Sequence, residues 1–306
     1  MGLASEAPEN FEKMNLSVRK IMSKISALIL TYNEEVQIER CIKSIYNLTD
    51  DIIVVDSYST DSTLDICKRY NCRIFQNKFI NHGKQINWAF DNVDYNYDWI
   101  LILDSDEIIP EKLKEEINRR VGNENEYVGY FFKRRIYWMN RWLKYGRMYP
   151  HYIIRLFRKG HGRYEEREED HLILDGKAGI MENDSLEDNR NNDLDSFIIK
   201  HLKTAQSEVS EAIHGVEEDG IKSKLFGLKP NRNRWLKVHI YSHIPLFVRP
   251  FAYFVYRYFF CLGFLDGKEG LIFHLLQGFW YRFYIDSKLY EEKSQWQKKQ
   301  HDYSKI

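Results

Sequence analysis

Short apolar runs alternate with amphipathic segments from residue 25 to residue 103. The runs are rich in aliphatic residues, as in strands that are buried on both faces of a parallel sheet, and they lie at 25–30, 51–55, 72–75 and 99–103. Between the first two runs, Ile38, Cys41, Ile42 and Ile45 have the spacing of one helix face. Further helices are predicted after Asp61, with Ser62 and Asp65 at capping-box spacing, and over residues 83–92. This alternation predicts an α/β fold with a doubly wound, mostly parallel sheet.

Polar clusters follow three of the predicted strands. They are Thr31–Glu35, Asp56–Asp61 and Asp104–Glu107. Each cluster taken alone is more typical of a turn or a helix cap than of a binding site. Because parallel strands bring their carboxyl ends to one rim, and ligands bind there in open α/β sheets, the three together predict a binding site.

The third cluster contains two carboxylates separated by one residue, Asp104 and Asp106. In an extended strand such residues point to the same face. Carboxylate oxygens suit Mg²⁺ or Mn²⁺, which can neutralise a departing diphosphate. The alternative is a solvated acidic turn before a helix that begins near Pro110.

The sequence lacks the features that are typical of several other classes of protein. The turn Thr31–Glu35 has no glycine, which argues against a dinucleotide site, and no GxxxxGK[ST] phosphate loop occurs. Lys and Arg balance Asp and Glu at 45 each, so we expect no nucleic-acid partner. The four cysteines form no CxxC pair, which is typical of free thiols in a reducing cytosol.

Three blocks, read in order, identify a resemblance. Residues 25 to about 125 contain ALILTYNEE, VVDSYSTDST and LILDSDE, and they resemble the family 2 glycosyltransferases, which have the GT-A fold. The segments RLFRKG, EDHLILDGKAG and GFLDGKEG extend the resemblance to lipopolysaccharide-core glucosyltransferases of the WaaE type. In family members the second block often has a glycine where this chain has Tyr58, which leaves the shape of that loop open.

The resemblance implies roles for residues at the strand ends. Thr31, Asn33 and Glu34 line the nucleotide pocket, and Asp56 bonds the base or ribose. Asp104 lies near the ribose and the metal, and Asp106 binds the Mn²⁺ or Mg²⁺ directly. Lys84 is either a phosphate ligand or a solvated helix residue, and Asn87 braces the loop beside the nucleotide.

An inverting transfer to a hydroxyl group needs a base downstream of the Asp104–Asp106 pair. The acidic run 165–170 offers many candidates, of which the resemblance favours Asp170 as the base, with Glu169 second. Other members of this run are expected to form a solvated acidic face. Arg155 and Arg158 are candidates for binding the acceptor or the diphosphate, or are charges at a strand edge.

The last third of the chain has a different composition. Residues 222–237 contain six basic and no acidic residues, and the stretches 246–265 and 270–285 are rich in Phe, Tyr and Trp. Charges, a proline and limited length make neither stretch a membrane span. We expect helices that lie on an anionic membrane surface, with a lid or a dimer surface as the alternative. The predicted domains are a tail at 1–22, a GT-A catalytic domain at 23–220 and a membrane-associating helical region at 221–306.

The sequence therefore predicts an inverting glycosyltransferase with a nucleotide-sugar donor, expected to be a UDP-sugar. The expected acceptor is a hydroxyl group of a lipid-linked or lipopolysaccharide-type glycan. Residues 1–20 show no apolar leader, so we expect a peripheral protein on the cytoplasmic face of the cell membrane. The alternatives are a polyprenyl-phosphate glycosyltransferase and a non-catalytic protein that binds a sugar nucleotide or a membrane. A nucleotidyltransferase would typically open with a basic, glycine-rich loop, which the sequence lacks.

Overall fold

A computed structural model describes residues 24–123, 126–165, 172–189, 194–214 and 241–303 of the 306-residue chain. Its described residues form two compact units. The first unit contains residues 24–123, 126–132, 153–165 and 172–187. The second contains residues 133–152, 188–189, 194–214 and 241–303.

The strands within these ranges come mostly from the first half of the chain. In chain order they are β1 (Ile25–Thr31), β2 (Asp51–Asp56), β3 (Arg73–Gln76), β4 (Trp99–Asp104), β5 (Glu107–Ile108), β6 (Tyr127–Trp138), β7 (Arg141–Leu143), β8 (His151–Arg158), β9 (Gly162–Tyr164), β10 (Leu172–Leu174) and β11 (Lys177–Asn189). The α-helices are α1 (Ile38–Ile45), α2 (Thr63–Arg69), α3 (His82–Asn92), α4 (Glu111–Gly122), α5 (Leu194–His214), α6 (Val248–Val255), α7 (Gly267–Phe273) and α8 (Tyr281–Tyr303).

One sheet of nine strands has the order β3-β2-β1-β4-β8-β6-β11-β5, and β7 pairs with β6. Strands β3, β2, β1 and β4 are parallel, whereas β8 is antiparallel to β4. Strands β9 and β10 pair separately. The predicted α/β sheet is confirmed, and its parallel part is the part that the hydrophobic pattern indicated.

Alternate residues of the parallel strands face two cores. In β4, Leu101 and Leu103 pack with α1, α2 and α4, whereas Ile100 and Ile102 pack with α3 and β9. Successive side chains of a strand point to opposite faces, so a strand with helices on both sides must be apolar throughout. This double burial explains why residues 25–30, 51–55 and 99–103 read as nearly continuous apolar runs.

The capping box predicted at the start of α2 is wrong. The Ser62 side chain makes no capping hydrogen bond. Asp61 instead accepts hydrogen bonds at Oδ1 from the Thr63 backbone N–H, at 3.0 Å, and from the Thr63 hydroxyl, at 2.5 Å. A carboxylate two residues before a free N–H can satisfy it as a cap does, so the loop at Asp61 replaces the predicted pair.

The second unit is mainly helical. Trp138 packs edge-on against Phe197 of α5, with ring centroids 4.6 Å apart, and against Phe273 of α7 at 5.6 Å. Farther along, Ala205 and Val209 of α5 pack against Tyr281 and Ile285 of α8. Helix α5, which lies before the predicted boundary at residue 220, therefore clusters with the C-terminal helices. No helix in the described part of the chain is long and apolar enough to cross a bilayer.

Candidate active site

The carboxyl ends of β1, β2 and β4 lie side by side in the first unit. Thr31 is the register partner of Asp56, and Leu30 is the partner of Asp104. The polar clusters after these strands therefore start from one rim of the sheet, where open α/β sheets bind their ligands.

Asp56 is fully buried at this rim. Its carboxylate accepts hydrogen bonds from the Ser59 backbone N–H at 2.9 Å, from the Ser59 hydroxyl and from the Gln76 amide at 3.0 Å. These bonds fold the loop after β2 back over the end of the strand. The residue expected to bond the nucleotide base or ribose thus also shapes its own loop.

The loops after β1 and β2 are joined by reciprocal hydrogen bonds. The Asn33 backbone N–H donates to the Ser59 hydroxyl at 2.8 Å, and the Asn33 side-chain oxygen accepts from the Thr60 N–H at 2.8 Å. The Glu34 N–H donates to the Thr63 hydroxyl at 2.8 Å. Short polar side chains in both loops replace the glycine turn of a dinucleotide site and hold the rim in one conformation.

Tyr58 has a left-handed backbone, with φ of 64°, and its side chain is 54% exposed. That conformation is strained for a residue with a Cβ atom, whereas glycine adopts it without steric strain. The loop therefore has the backbone that the glycine of the resembling family can adopt, although this chain has a tyrosine there.

Asp104 forms an ion-pair cluster with Arg155 and His82. The Nη2 atom of Arg155 lies 2.5 Å from Asp104 Oδ2 and 2.6 Å from Glu107 Oε1. On the other side, His82 Nε2 lies 3.2 Å from Asp104 Oδ1. Arg155 and Glu107 are almost completely buried, whereas a third of the Asp104 side chain is exposed. The cluster fixes the direction of the Asp104 carboxylate.

The electrostatics of this cluster stabilise the charged forms of Asp104 and Arg155. Burial raises the pKa of the Asp104 carboxyl, but Arg155 and His82 outweigh burial and hold that pKa well below its ordinary value. Burial lowers the pKa of Arg155, whereas Asp104 and Glu107 raise it well above the ordinary value. Asp104 is therefore an anion whose charge is largely balanced within the protein.

Asp106 follows in a turn, because β4 ends at Asp104. The expectation that both carboxylates project from an extended strand is therefore wrong. Asp106 is half-buried, and its charge, after burial and Glu107, contributes to the raised pKa of the Cys41 thiol. The two carboxylates of the motif thus have different surroundings, one paired with Arg155 and one in the turn.

The residues present suit a divalent cation that is completed by its substrate. Among the described residues, no group of three or more His, Cys, Asp or Glu side chains has the geometry of a metal site. Mg²⁺ and Mn²⁺ commonly use one or two carboxylates and take their other ligands from phosphates and water. A site built from Asp106, with Asp104 beside it, agrees with that chemistry and needs no third protein ligand.

Helix α3 begins beside the Asp104 cluster. The Asn81 side chain caps it by accepting from the Lys84 N–H at 2.8 Å, and His82 in its first turn contacts Asp104. Lys84 is half-buried in this first turn. Asn87, one turn farther, is buried and bonds both the carbonyl and the N–H of Tyr164, at 2.9 and 3.0 Å. Asn87 thus ties α3 to β9.

The two arginines of β8 have different positions. Arg155 is buried in the Asp104 cluster. Arg158 pairs in register with Trp99, at the amino end of β4, and its guanidinium lies 4.8 Å from the centre of the Trp99 ring. The structure therefore brings Arg155 to the rim and places Arg158 at the opposite end of the strand.

The predicted base, Asp170, and its alternative, Glu169, lie outside the described residues. Glu165, directly after β9, is described and is 8% exposed. Asn87 of α3 bonds Tyr164, the last residue of β9. The acidic run 165–170 therefore begins next to a strand that is held against α3, the helix that carries His82.

Sequence reasoning missed two members of the cluster, Glu107 and His82. Glu107 is fully buried, accepts from the Asp104 N–H at 3.0 Å and pairs with Arg155. A signal for Glu107 exists, since it ends the LILDSDE block. His82 carries no comparable signal, because its role depends on where α3 meets the end of β4.

A mostly parallel α/β sheet with carboxylates at its carboxyl rim and without a glycine phosphate loop agrees with a GT-A type of domain. Residues 26–187 match the family model described as Glycosyl transferase family 2. The chain belongs to this family, which confirms the predicted family, fold class and enzyme class.

Individual relatives agree with this assignment. An uncharacterized glycosyltransferase of Rickettsia typhi is 37% identical over 37% of this chain and 38% of its own length. The lipopolysaccharide core biosynthesis glycosyltransferase LpsC of Rhizobium meliloti is 25% identical over 67% of this chain and 76% of its own. The alignments thus span about two fifths of the Rickettsia relatives.

Among solved structures, a mannosyltransferase from Pyrobaculum calidifontis in complex with GDP-Man and Mn²⁺ has a TM-score of 0.50 and 14% identity. The superposition covers 90% of this chain and 89% of that protein. At this identity the likeness supports the fold alone.

Proposed function

We propose that this protein is an inverting glycosyltransferase that moves a sugar from a nucleotide-diphosphate donor, a UDP-sugar, to a hydroxyl group of a lipid-linked or lipopolysaccharide-type glycan. The observation that carries the proposal is the meeting of Asp56, Asp104 and the Asp106 turn at one rim of the sheet. LpsC, by its name a lipopolysaccharide core enzyme, supports the acceptor class. The nucleotide-sugar donor and the divalent metal are proposed from membership of the family and from the carboxylates at this rim.

In this proposal the residues at the rim of the sheet bind the donor. Thr31, Asn33, Glu34 and Asp56 bind the nucleoside, and Lys84 binds a phosphate. Asp106 holds the metal ion, and Asp104, fixed by Arg155, orients the ribose beside it. When bound, a divalent cation neutralises the charge that develops on the departing diphosphate.

The acceptor hydroxyl attacks the anomeric carbon on the face opposite the diphosphate, and the bond from that carbon to the phosphate oxygen breaks. Asp170 takes the hydroxyl proton, and the nucleoside diphosphate leaves. General bases of this kind typically contribute about 10²–10⁴-fold to the rate. The acceptor is lipid-linked, so the protein works as a peripheral protein on the cytoplasmic face of the membrane.

The first experiment screens UDP-, GDP- and dTDP-sugars for binding and hydrolysis with Mn²⁺ or Mg²⁺. Asp106→Ala should abolish metal-dependent turnover of the donor that the wild type uses. The matched control is Asp91→Ala, which removes an exposed aspartate of α3 that pairs with Arg163. Absence of binding to every donor with either metal would refute the proposal.

A second experiment separates a hydroxyl acceptor from a phosphate acceptor. A lipid phosphate is already ionised, so its glycosylation needs no base. Asp170→Ala should therefore reduce transfer to a hydroxyl by about 10²–10⁴-fold and leave donor binding unchanged. Glu169→Ala is the control, with a smaller effect. A larger loss in Glu169→Ala than in Asp170→Ala would make Glu169 the base, whereas transfer equal to that of the wild type in both variants would favour the polyprenyl-phosphate reaction.

A further inference from the structure

Helix α6 and the wider π-type turn Tyr256–Phe260 that continues it expose apolar side chains along one face. The exposed residues are Val248 (55%), Phe251 (61%), Tyr256 (43%), Phe259 (55%) and Phe260 (77%), here called the aromatic stripe. Their spacing follows the helical repeat, so they share one side of the segment. A helix of a water-soluble surface normally shows the reverse pattern.

The charged residues of the same segment point inward. Arg257 is 4% exposed and donates to the Gly146 carbonyl at 2.9 Å and to Gln277 at 2.6 Å. The Arg249 side chain is largely buried and pairs with the buried Asp286 of α8 through Nε at 2.8 Å. These bonds fix the rotation of the helix, so the stripe faces outward because its arginines are held inside.

Partly buried rings of the same segment contact the neighbouring helices. Phe254 stacks on Tyr258 and contacts Phe279 at 6.4 Å, and Phe279 contacts Phe283 at 5.6 Å. Phe283 in turn contacts Phe247 at 5.3 Å. Leu271, Leu275 and Phe283 are each about two fifths exposed. The outward apolar residues thus belong to two adjacent helical segments.

The charges near the stripe favour an anionic surface. Between residues 241 and 290 the acids are Asp266, Glu269 and Asp286. Asp266 and Asp286 are buried, and Glu269 pairs with Arg141. Exposed cations include Lys268 and Arg147, whose guanidinium lies 5.9 Å from the Tyr256 ring centre. In the sequence, the six basic residues of 222–237 come shortly before the helix.

We infer that the aromatic stripe inserts into the headgroup–acyl boundary of an anionic lipid bilayer. Exposed Phe and Tyr beside cations, on a helix that does not span, are the features of an interfacial helix. The inference rests on the proposed function for its purpose, since a lipid-linked acceptor is reached at that surface. Binding to lipid itself requires neither donor nor metal.

The test is co-sedimentation of the full chain with vesicles, without donor or metal. Vesicles of phosphatidylcholine alone are compared with vesicles that also contain phosphatidylglycerol. Wild type should bind the anionic vesicles more tightly, and added salt should weaken binding. Phe251→Ser together with Phe260→Ser should reduce the partition constant by at least about 100-fold, since each ring contributes about tenfold or more.

The control variant is Ile199→Ser, which replaces an aliphatic residue that is 53% exposed on α5. It should bind vesicles like the wild type. Far-ultraviolet circular dichroism checks the fold of all variants. Unchanged vesicle binding by the double variant, or no binding by the wild type, would overturn the inference. So would a wild-type dimer in the absence of lipid that the double variant dissociates, because a second copy would then cover the stripe.

Donor hydrolysis is measured on the same preparations. If Asp106→Ala has no effect on hydrolysis while the stripe variants lose vesicle binding, the proposed function fails and the membrane inference stands. If the hydrolysis result holds while vesicle binding is unaffected, only the membrane inference fails.

Discussion

The Nη2 atom of Arg155 lies 2.5 Å from Asp104 Oδ2 and 2.6 Å from Glu107 Oε1, so one buried nitrogen joins the first carboxylate of the motif to the last residue of its block. These contacts give Asp104 surroundings that differ from those of Asp106. The charge of Asp104 is balanced inside the protein, whereas Asp106 belongs to the turn beyond the strand. Arg155 therefore fixes the direction of the Asp104 carboxylate, and the binding of a metal ion by Asp106 is part of the proposed function.

Arg155→Met should destabilise the protein by about 3 kcal/mol, because it leaves Glu107 and Asp104 without their cation. The exposure of Asp104 keeps the expected value at the low end of the range. Arg158→Met, on the same strand, should cost less than about 1 kcal/mol, the usual value of an exposed cation–π contact. Urea unfolding measures the free energy of unfolding of both variants. Equal losses of stability would contradict the conclusion that Arg155 balances the charges of Asp104 and Glu107.

The effect of Arg155 should also depend on pH. The folded-state pKa of Asp104 is lowered, so its contribution to stability is complete above its unfolded pKa, about 3.9, and is lost as pH falls through the folded value. The difference in stability between the wild type and Arg155→Met should therefore shrink as the pH falls below about 4. A constant difference at every pH would mean that packing, and not charge, is lost.

Tyr58→Gly should relieve backbone strain. A left-handed residue with a Cβ atom costs about 1–2 kcal/mol, whereas a glycine gains more backbone entropy than a tyrosine when the protein unfolds. The matched control is Tyr32→Gly, since Tyr32 is also about half exposed, in the loop after β1, and has no positive φ. In urea unfolding, Tyr58→Gly should be more stable than Tyr32→Gly by about 1–2 kcal/mol.

Asn87→Ala should destabilise the link between α3 and β9. It removes both partners of the buried Tyr164 backbone, at a cost of about 2–4 kcal/mol. Asn92→Ala, on the same helix, removes one exposed bond to the Trp88 carbonyl and should cost less than about 1 kcal/mol. Thermal unfolding compares the two, and similar melting temperatures would count against the brace.

His274 should make the protein sensitive to acid. Its ring is fully buried, neither ring nitrogen has a hydrogen-bond partner among the described residues, and burial, with the charge of Arg257, lowers its pKa from 6.5 to about 3. Between these values the unfolded chain binds the extra proton, so stability falls as pH decreases, by up to about 1.4 kcal/mol per pH unit.

His274→Leu should flatten this part of the stability profile between pH 6.5 and 4. Urea unfolding at several pH values measures the slope. If the substitution only weakened packing, the free energy of unfolding would change by the same amount at every pH. The slope of that free energy against pH therefore reports the protonation of the imidazole ring and not the change in side-chain volume. An unchanged slope would show that the acid sensitivity arises elsewhere.

The sequence by itself determined the parallel half of the sheet. Ala27, Ile53 and Leu101 lie in runs that are apolar throughout because both faces of each strand are buried, and such runs are recognisable without a structure. It also determined that the polar clusters after β1, β2 and β4 meet, because the carboxyl ends of parallel strands share one rim of the sheet. The three blocks were sufficient to identify the family.

Only the tertiary structure decided which side chains meet at that rim. Arg155 reaches Asp104 because β8 enters the sheet antiparallel to β4, and a pairing between strands so distant in sequence leaves no periodic signal. His82 reaches Asp104 through the position of α3. The arginines of α6 and of the turn Tyr256–Phe260 point inward because Asp286 and Gly146 accept their hydrogen bonds. Local patterns record which face of an element is apolar, whereas the pairing of charges depends on packing between segments far apart in the chain.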